Sequence, residues 1–481
     1  MAPTAAHDRD RRSAAAEHAH RRDAAPRHRR GYRWVPTLHH RARHAPNPLH
    51  TDVVSWLIGI GMGMTLALGV RAESWSALTK PGGIATFGGR LSALAGTYLM
   101  LVVVLLISRL PAIERSMGHD KLVRWHRQLA PIALCLIVAH GLLITLGYAQ
   151  GASRGVLHAF WVIVTTLPGM LMATAGFALF MAAGLTSYRI ARRRLTHEAW
   201  WLVHLTTYLA ISLSFFHQVW TGSAFISDPL AKLWWTSVYF LVAAAIVWYR
   251  ALVPLWRSLY HHLRVVAVYP EGPGTVSIVI EGRHLDRLPV NGGQFLQWRF
   301  LRPGIWWQAH PYSLSAMPLP PYLRVTVKQL GDHSGELARI TPGTRVAIEG
   351  PYGAFTRHAA ERHKLLLVAA GVGVTPIRAM LEDLPAHADI DVILRANNES
   401  ELVLDEEVEE LVTKRGGRLH RLVGDRREVP LTPSLVHQLV PDLRERELYI
   451  CGPEGFTERF IAVARHLGLR SDHIHHEQFA F

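Results

Sequence analysis

A chain of 481 residues has room for two to four domains, and 49% apolar residues with a mean hydropathy of +0.12 are high for a soluble protein. Yet 19% charged residues is too many for a bundle lying wholly in lipid, so a membrane part joined to a soluble part is expected. The net charge of +15 invites a nucleic-acid partner, but much of it sits in the N-terminal tail and in loops between apolar runs, which points to anionic lipid and to no nucleic acid.

Residues 1–50 are rich in Arg, His, Ala and Pro without a core-forming pattern and are expected to form a disordered basic tail. No apolar h-region follows the start, so a cleaved secretory signal is not expected. Six apolar runs follow, Val53 to Val70, Leu91 to Ser108, Leu129 to Ala149, Val156 to Leu185, Ala199 to Trp220 and Leu233 to Leu255, each long enough to span a bilayer as a helix. The tail, the 109–127 and 189–198 loops and the exit at Arg250, Arg257 and Arg264 are basic. Alternate loops carry few cations. Both termini are therefore expected in the cytoplasm of a multi-pass protein of the cell (plasma) membrane. With only Cys135 and Cys451, a disulfide framework is not expected either.

A segment from Arg124 into the third run carries His126 and His140, fourteen residues apart, and the fifth run carries His204 and His217, thirteen apart. At about 1.5 Å rise per residue each pair spans roughly 20 Å of helix, within a hydrocarbon core of about 30 Å. Any one histidine could be a hydrogen-bonded bundle residue, but ionisable groups at bilayer depth are rare and four at matched depth point to function. Imidazole binds haem iron, and a bundle core can hold a macrocycle. The expectation is two haem b groups, His126 with His204 in the inner layer and His140 with His217 in the outer one. On an ideal helix thirteen residues leave about 140° between two side chains, so the fifth helix needs a bulge, a kink or ring placement that tolerates the offset.

After Leu255 short alternating segments punctuated by Gly and Pro replace the long runs: Arg264 to Tyr269, Thr275 to Ile280, Gly293 to Phe300, Tyr322 to Leu330 and Arg345 to Ile348. They suggest a small antiparallel barrel, with His310-Pro311-Tyr312-Ser313 lying between its strands. From Lys364 strand and helix alternate, which predicts a doubly wound parallel sheet. Its first strand ends in Gly371-Val-Gly373-Val-Thr375-Pro376, where glycines let backbone approach a pyrophosphate and a helix N-terminus favours its charge. Cys451-Gly452-Pro453 ends its last expected strand. Taken singly, these motifs are also what an ordinary strand or turn contains.

In this order, behind a six-helix bundle with paired histidines, they resemble the NADPH oxidase and ferric reductase superfamily. That resemblance implies a membrane α-helical bundle of six transmembrane helices followed by a ferredoxin-reductase-like module, an antiparallel β-barrel for FAD and an α/β doubly wound domain for NAD(P). The implied divisions are 51–258, 262–358 and 362–481. It also implies that His310, Pro311, Tyr312 and Ser313 meet the flavin, that Ser334 meets its pyrophosphate, that Gly371, Gly373, Thr375 and Pro376 hold the dinucleotide phosphates, and that Cys451, Gly452 and Pro453 flank the nicotinamide. Phe481 matches a terminal aromatic that shields the flavin ring, and with Cys451 it forms the expected catalytic pair. Arg395, with Arg421 or Arg426 nearby, suits a 2′-phosphate, which favours NADPH over NADH. The expected activity is that of an NADPH oxidase or ferric-chelate reductase passing electrons to oxygen or ferric iron outside. The alternatives kept open are an electron-delivery subunit for an extracytoplasmic partner protein and a homo-oligomer.

Overall fold

The computed structural model describes residues 48–117, 119–329 and 332–478. The basic tail up to residue 47 and Phe481 lie outside the described residues. Among those described, six helices are long and apolar enough to cross a membrane: Asp52–Arg71, Gly83–Leu106, Lys121–Gly151, Met170–Ser187, Glu198–Thr221 and Pro229–His261. This is a membrane protein.

The helices that matter below are α1 (Pro48–Arg71), α2 (Gly83–Leu106), α3 (Pro111–Met117), α4 (His119–Gly151), α5 (Val156–Thr166), α6 (Met170–Ser187), α7 (His197–Thr221), α8 (Pro229–Val247) and α9 (Val253–His261). Small residues set the closest approaches. A Cβ placed on Gly96 would stand 2.9 Å from Leu136 Cβ, so α2 and α4 meet almost backbone to backbone, and one on Gly176 would stand 2.8 Å from the Ala210 carbonyl oxygen, which does the same for α6 and α7. Capping residues define two helix starts: the Thr196 hydroxyl accepts from the Ala199 amide, and the Asp228 carboxylate accepts from Leu230 and Ala231 ahead of a proline at the first turn. The outer faces carry exposed Leu57, Ile60, Leu142, Leu157, Leu171 and Phe240, apolar surface that a bilayer covers without cost.

The expected single span from Val156 to Leu185 is two helices, α5 and α6. Leu167, Pro168 and Gly169 separate them, with Leu167 extended (ψ 136°) and Gly169 at φ +79°. A residue before proline is driven out of the helical region and only glycine takes the left-handed turn easily, so apolar composition alone could not carry the helix through. The fifth helix, by contrast, runs unbroken from His197 to Thr221, so ring placement rather than a bulge absorbs the angular offset between His204 and His217.

α8 and α9 are joined by a five-residue π-helical turn, Trp248–Leu252. The combined span of 33 residues is roughly 50 Å long against a core of about 30 Å. Its last turns therefore stand clear of the hydrocarbon and lead into the first strand of the barrel.

Strands β1 (Arg264–Gly272), β2 (Thr275–Glu281), β3 (Phe295–Phe300), β4 (His310–Ser313) and β5 (Tyr322–Lys328), helix α10 (Asp332–Leu337) and strand β6 (Val346–Tyr352) make two antiparallel sheets, β1-β2-β5 and β4-β3-β6. Bridges from Arg264 to Arg345 and from Leu314 to Val325 join them into one barrel around Ile278, Leu296, Trp298, Phe300 and Val325. The His310–Ser313 segment, expected between strands, is itself a strand. It is an edge within its sheet, where Pro311 costs no ladder hydrogen bond.

The remaining elements are β7 (Lys364–Ala370), α11 (Val374–Asp383), β8 (Asp389–Ala396), α12 (Asp405–Lys414), β9 (Arg418–Val423), α13 (Pro433–Leu439), β10 (Glu447–Gly452), α14 (Glu454–His466) and β11 (Ile474–Gln478). They build a parallel sheet in the order β11-β10-β7-β8-β9. From β7 the chain adds β8 and β9 to one side and then β10 and β11 to the other, so the strand order reverses between β7 and β10. That is where ligands of such sheets bind.

Candidate functional site

The histidines form two pairs, one at each level of the α4–α7 face. The ring centroids of His126 and His204 lie 6.0 Å apart, those of His140 and His217 6.5 Å apart. Backbone carbonyls orient the α4 rings. His126 Nδ1 donates to Val103 O at 3.1 Å and His140 Nδ1 donates to Gly89 O at 2.9 Å, both on α2. A carbonyl only accepts, so the proton sits on Nδ1 and the Nε2 lone pair of each ring is left for another partner. On α7, His204 is stacked on Trp200 at 5.1 Å with Nδ1 3.4 Å from the Ser187 hydroxyl, while His217 Nδ1 lies by the Ser214 carbonyl without closing a hydrogen bond.

These pairs fit a metal macrocycle. Imidazole nitrogens bind such metals at about 2 Å and sit roughly 1 Å from the ring centre, so two rings sharing one metal stand with centroids about 6 Å apart. The His140–His217 pair lines a cavity of about 560 Å³ whose wall is mostly apolar, including Met100, Ile137, Phe160, Phe177 and Phe180. Among the described residues lining it, Arg90 and Glu73 are ion-paired to each other, and Gln218 is held by Trp235 Nε1 (2.7 Å) and by Tyr239.

In the barrel, the β3–β4 ladder sets Phe295 opposite Ser313, Leu296 opposite Tyr312, Gln297 opposite Pro311 and Trp298 opposite His310. His310 and Tyr312 rings stack at 6.3 Å, and Trp298 Nε1 donates to Tyr312 O. Burial pushes the Tyr312 phenol well above its ordinary range, so it stays neutral. The Ser313 hydroxyl is buried with no hydrogen-bond partner, a vacancy that suits a polar ring atom of a flavin. Ser334 lies on α10; Gly331 before it is outside the described residues.

In the parallel sheet, Gly371 turns at φ +56° with open space where a Cβ would be, and a Cβ on Gly373 would meet the Cys451 carbonyl oxygen at 2.2 Å. The two turns thus abut at the sheet's reversal point, and glycine is required for them to touch. Thr375 is buried and its hydroxyl donates to Val372 O at 3.0 Å, closing the turn; Pro376 follows inside α11. Cys451 is fully buried, which pushes its thiol up and keeps it protonated. Gly452 packs on Ala370, and Pro453 caps α14. Arg395 spends its guanidinium on carbonyls, with Nη1 donating to Leu422 O (2.8 Å) and Ala396 O (3.1 Å) and Nη2 to Asp425 O (2.9 Å). Arg421 is ion-paired to Asp405 and Glu409.

The C-terminal strand leads toward the barrel: Glu477 Oε1 is 3.7 Å from where a Cβ of Gly353 would stand. The two soluble units are further tied by a cluster that no local motif announced. Arg324 of β5 forks onto Glu407 of α12 at 2.7 and 2.8 Å, and Arg378 of α11 meets the same carboxylate at 2.7 Å and Glu382 at 2.6 Å.

Three families match successive parts of the chain. "Ferric reductase like transmembrane component" covers residues 92–215, an FAD-binding domain 262–356 and an oxidoreductase NAD-binding domain 367–461. The chain is a fusion of the ferric reductase/NADPH oxidase type. Among proteins similar to parts of this fusion is the glycine betaine monooxygenase reductase subunit of Chromohalobacter salexigens, 28% identical over 187 residues, which are 35% of this chain and 50% of that protein. Another is an NADPH oxidoreductase of Mycobacterium tuberculosis, 28% identical over 241 residues, 47% of this chain and 62% of that one. The fusion thus spans about half to two thirds of the length of these relatives. Among solved structures, the flavohem-like FAD/NAD-binding domain of nitric oxide dioxygenase from Vibrio cholerae is 22% identical, covers 46% of this chain and 98% of its own, and superposes with a TM-score of 0.39.

Proposed function

We propose that the chain is a transmembrane NAD(P)H oxidoreductase of the cell membrane, with both termini and the dehydrogenase in the cytoplasm, that uses FAD and two b-type haems to reduce a small acceptor on the far side. The observation that carries this is the pair of facing imidazoles at each of two levels, His126 with His204 and His140 with His217, at separations suited to one shared metal each. Bound FAD supplies the change from a two-electron donor to one-electron steps, and bound haems supply one-electron carriers through the bilayer.

The chain's own residues do the rest. The α2 carbonyls keep His126 and His140 as neutral ligands with Nε2 presented. Ser313 offers its hydroxyl to the flavin, Gly371 leaves room for the dinucleotide phosphates to approach the start of α11, and Gly373 lets that turn close against Cys451. Cys451, Gly452 and Pro453 form the floor beside the nicotinamide, and Phe481 is the aromatic proposed to cover the flavin until nicotinamide arrives. In balance, one NADPH yields NADP⁺, one proton and two acceptors each reduced by one electron.

The cavity beside His140 and His217 has a mostly apolar wall, and its arginine is neutralised by Glu73. This favours a small uncharged acceptor, oxygen giving superoxide, over an anionic ferric chelate. NADPH is the proposed donor, with NADH next. Detergent-purified protein should reduce cytochrome c in a superoxide dismutase-sensitive way at a rate matching NADPH consumption. NADPH oxidation that depends on added ferric chelate would instead make it a ferric reductase. Haems that stay reduced with both acceptors would point to a partner protein outside.

A further inference from the structure

The barrel meets the membrane helices at two places among the described residues: Arg283, His284 and Arg287 lie against Tyr260 and His261 at the end of α9, and Ile348 to Tyr352 at the end of β6 form a second contact. Arg257 of α9 donates to Gly350 O, and the Ser258 hydroxyl accepts from the Ile348 amide at 3.2 Å. The centre of this junction is Glu349. Its Oε1 receives Arg250 Nη1 at 2.9 Å, the Tyr352 hydroxyl at 2.8 Å and, at ion-pair distance, Arg109 Nε at 3.8 Å. Arg250 comes from the π turn in the last membrane helix and Arg109 from the loop between α2 and α3, so a single carboxylate oxygen of the barrel gathers cations from two separate membrane elements.

Arg109 is placed with unusual care for a surface cation. It sits in the left-handed region at φ 66°, which costs a residue with a Cβ, and its side chain is only 9% exposed. Its guanidinium lies 3.9 Å over the Tyr352 ring and its Nη1 donates to Glu114 at 3.2 Å. π-helical turns such as the one that carries Arg250 recur at functional positions.

The two sides of the junction lead directly to the two cofactor sites of the proposed function. On the barrel side Tyr352 is the register partner of Phe295, and Phe295 is the register partner of Ser313, so the three share one face across β6, β3 and β4. On the membrane side Arg109 follows α2, whose Val103 carbonyl orients His126. Strand register across β6, β3 and β4 on one side, and the chain from Val103 to Arg109 on the other, therefore link the junction to Ser313 and to the His126–His204 pair.

Resting on that functional reading, we propose that Glu349, clamped by Arg250, Arg109 and Tyr352, is the positioning residue that fixes the flavin cleft over the His126–His204 pair. A structural ion pair would only hold the units together; a positioning residue sets how fast electrons cross between them.

The test uses full-length detergent-purified protein, anaerobic stopped-flow mixing with NADPH, and absorbance at flavin and haem wavelengths. In Glu349→Gln, flavin reduction should keep its wild-type rate while haem reduction slows about tenfold to a hundredfold, the scale of an ångström-level misplacement. Arg250→Gln should do the same from the membrane side. A readout independent of turnover is amide hydrogen exchange, in which residues 346–352 should lose protection in Glu349→Gln without a matching change in the parallel sheet. Unchanged haem reduction in both single variants, with wild-type flavin and haem content, overturns the proposal while leaving the proposed function intact. A wild-type protein that binds flavin but no haem overturns the functional reading instead.

Discussion

Gly89 performs two tasks with one backbone. Lacking a side chain, it lets α4 pass within contact, since a Cβ there would stand 2.9 Å from Ile144 Cγ1 and 3.0 Å from the Ile144 amide nitrogen. Its carbonyl, meanwhile, fixes the ring of His140. Gly89→Val should cost about 1–3 kcal/mol of stability through overpacking and tilt His140 away. The reduced-minus-oxidised spectrum of the variant should then resemble that of His140→Leu, with one haem signal lost and FAD still reduced by NADPH. Retention of both haem signals in His140→Leu would remove that residue from the ligand set. Arg395 supports a second prediction at this scale. If it reads a 2′-phosphate it must give up its carbonyl partners to do so, and Arg395→Ala should then raise the KM for NADPH roughly ten- to hundredfold, the worth of a charged hydrogen bond, with little change for NADH. Equal effects on both donors would mean that the residue serves only the β8–β9 turn. The histidine pairs, glycine turns and strand motif were legible in the sequence because each depends on residue type and spacing. The Val103 and Gly89 carbonyls were not, since any residue offers the same acceptor and only the packing of α2 on α4 selects these two.

Among the elements, departures from expectation follow backbone chemistry rather than composition. The run from Val156 to Leu185 is apolar enough for one span, yet Pro168 and Gly169 turn the chain within it. A Cβ on Gly169 would lie 3.0 Å from both Cα and N of His217, so this turn abuts the outer histidine. Gly169→Ala should cost about 1–2 kcal/mol for the left-handed backbone, with added strain against α7, and should shift the outer haem's absorbance more than the inner one's. A spectrum identical to wild type would show that the turn does not support His217. β11 was missed because His475, His476 and Glu477 interrupt the apolar pattern, although the strand pairs with β10 from Leu448 to Gly452. The order of bundle, barrel and parallel sheet was readable because hydrophobic periodicity changes from long runs to short alternations and then to alternating strand and helix. The contacts among them were not, because Arg324, Glu407 and Arg378 lie far apart in sequence and each looks like an ordinary surface charge.

At the scale of the molecule, bundle, barrel and parallel sheet must keep register for the proposed electron transfer from the nicotinamide to the far side of the membrane. The barrel and parallel sheet are held together by Glu407 between two arginines that are almost fully buried. Burial raises the Glu407 carboxyl, but hydrogen bonds and charge from Arg324 and Arg378 outweigh it and hold the group below its ordinary range. A depressed carboxylate contributes stability that is present above the unfolded value, about 4.3, and is lost as pH falls through the folded value. This part of the interface should therefore hold at neutral pH and loosen in acid. Glu407→Gln, which leaves the buried Arg324 guanidinium without its carboxylate while Arg378 keeps Glu382, should cost roughly 2–3 kcal/mol, less than a fully buried pair because Glu407 is a third exposed. Thermal unfolding followed by flavin fluorescence between pH 7 and pH 4 checks both; a Glu407→Gln protein as stable as wild type at neutral pH would remove the cluster's importance.

The proposed function requires that one chain bind FAD and two haems through His126, His204, His140 and His217. The most direct measurement is the ratio of haem b to FAD in the detergent-purified protein, by pyridine haemochrome and flavin release, with the absorbance spectrum taken before and after anaerobic NADPH. Two haems for each FAD, both reduced by NADPH, are expected. One haem for each FAD, or FAD with none, would contradict that requirement.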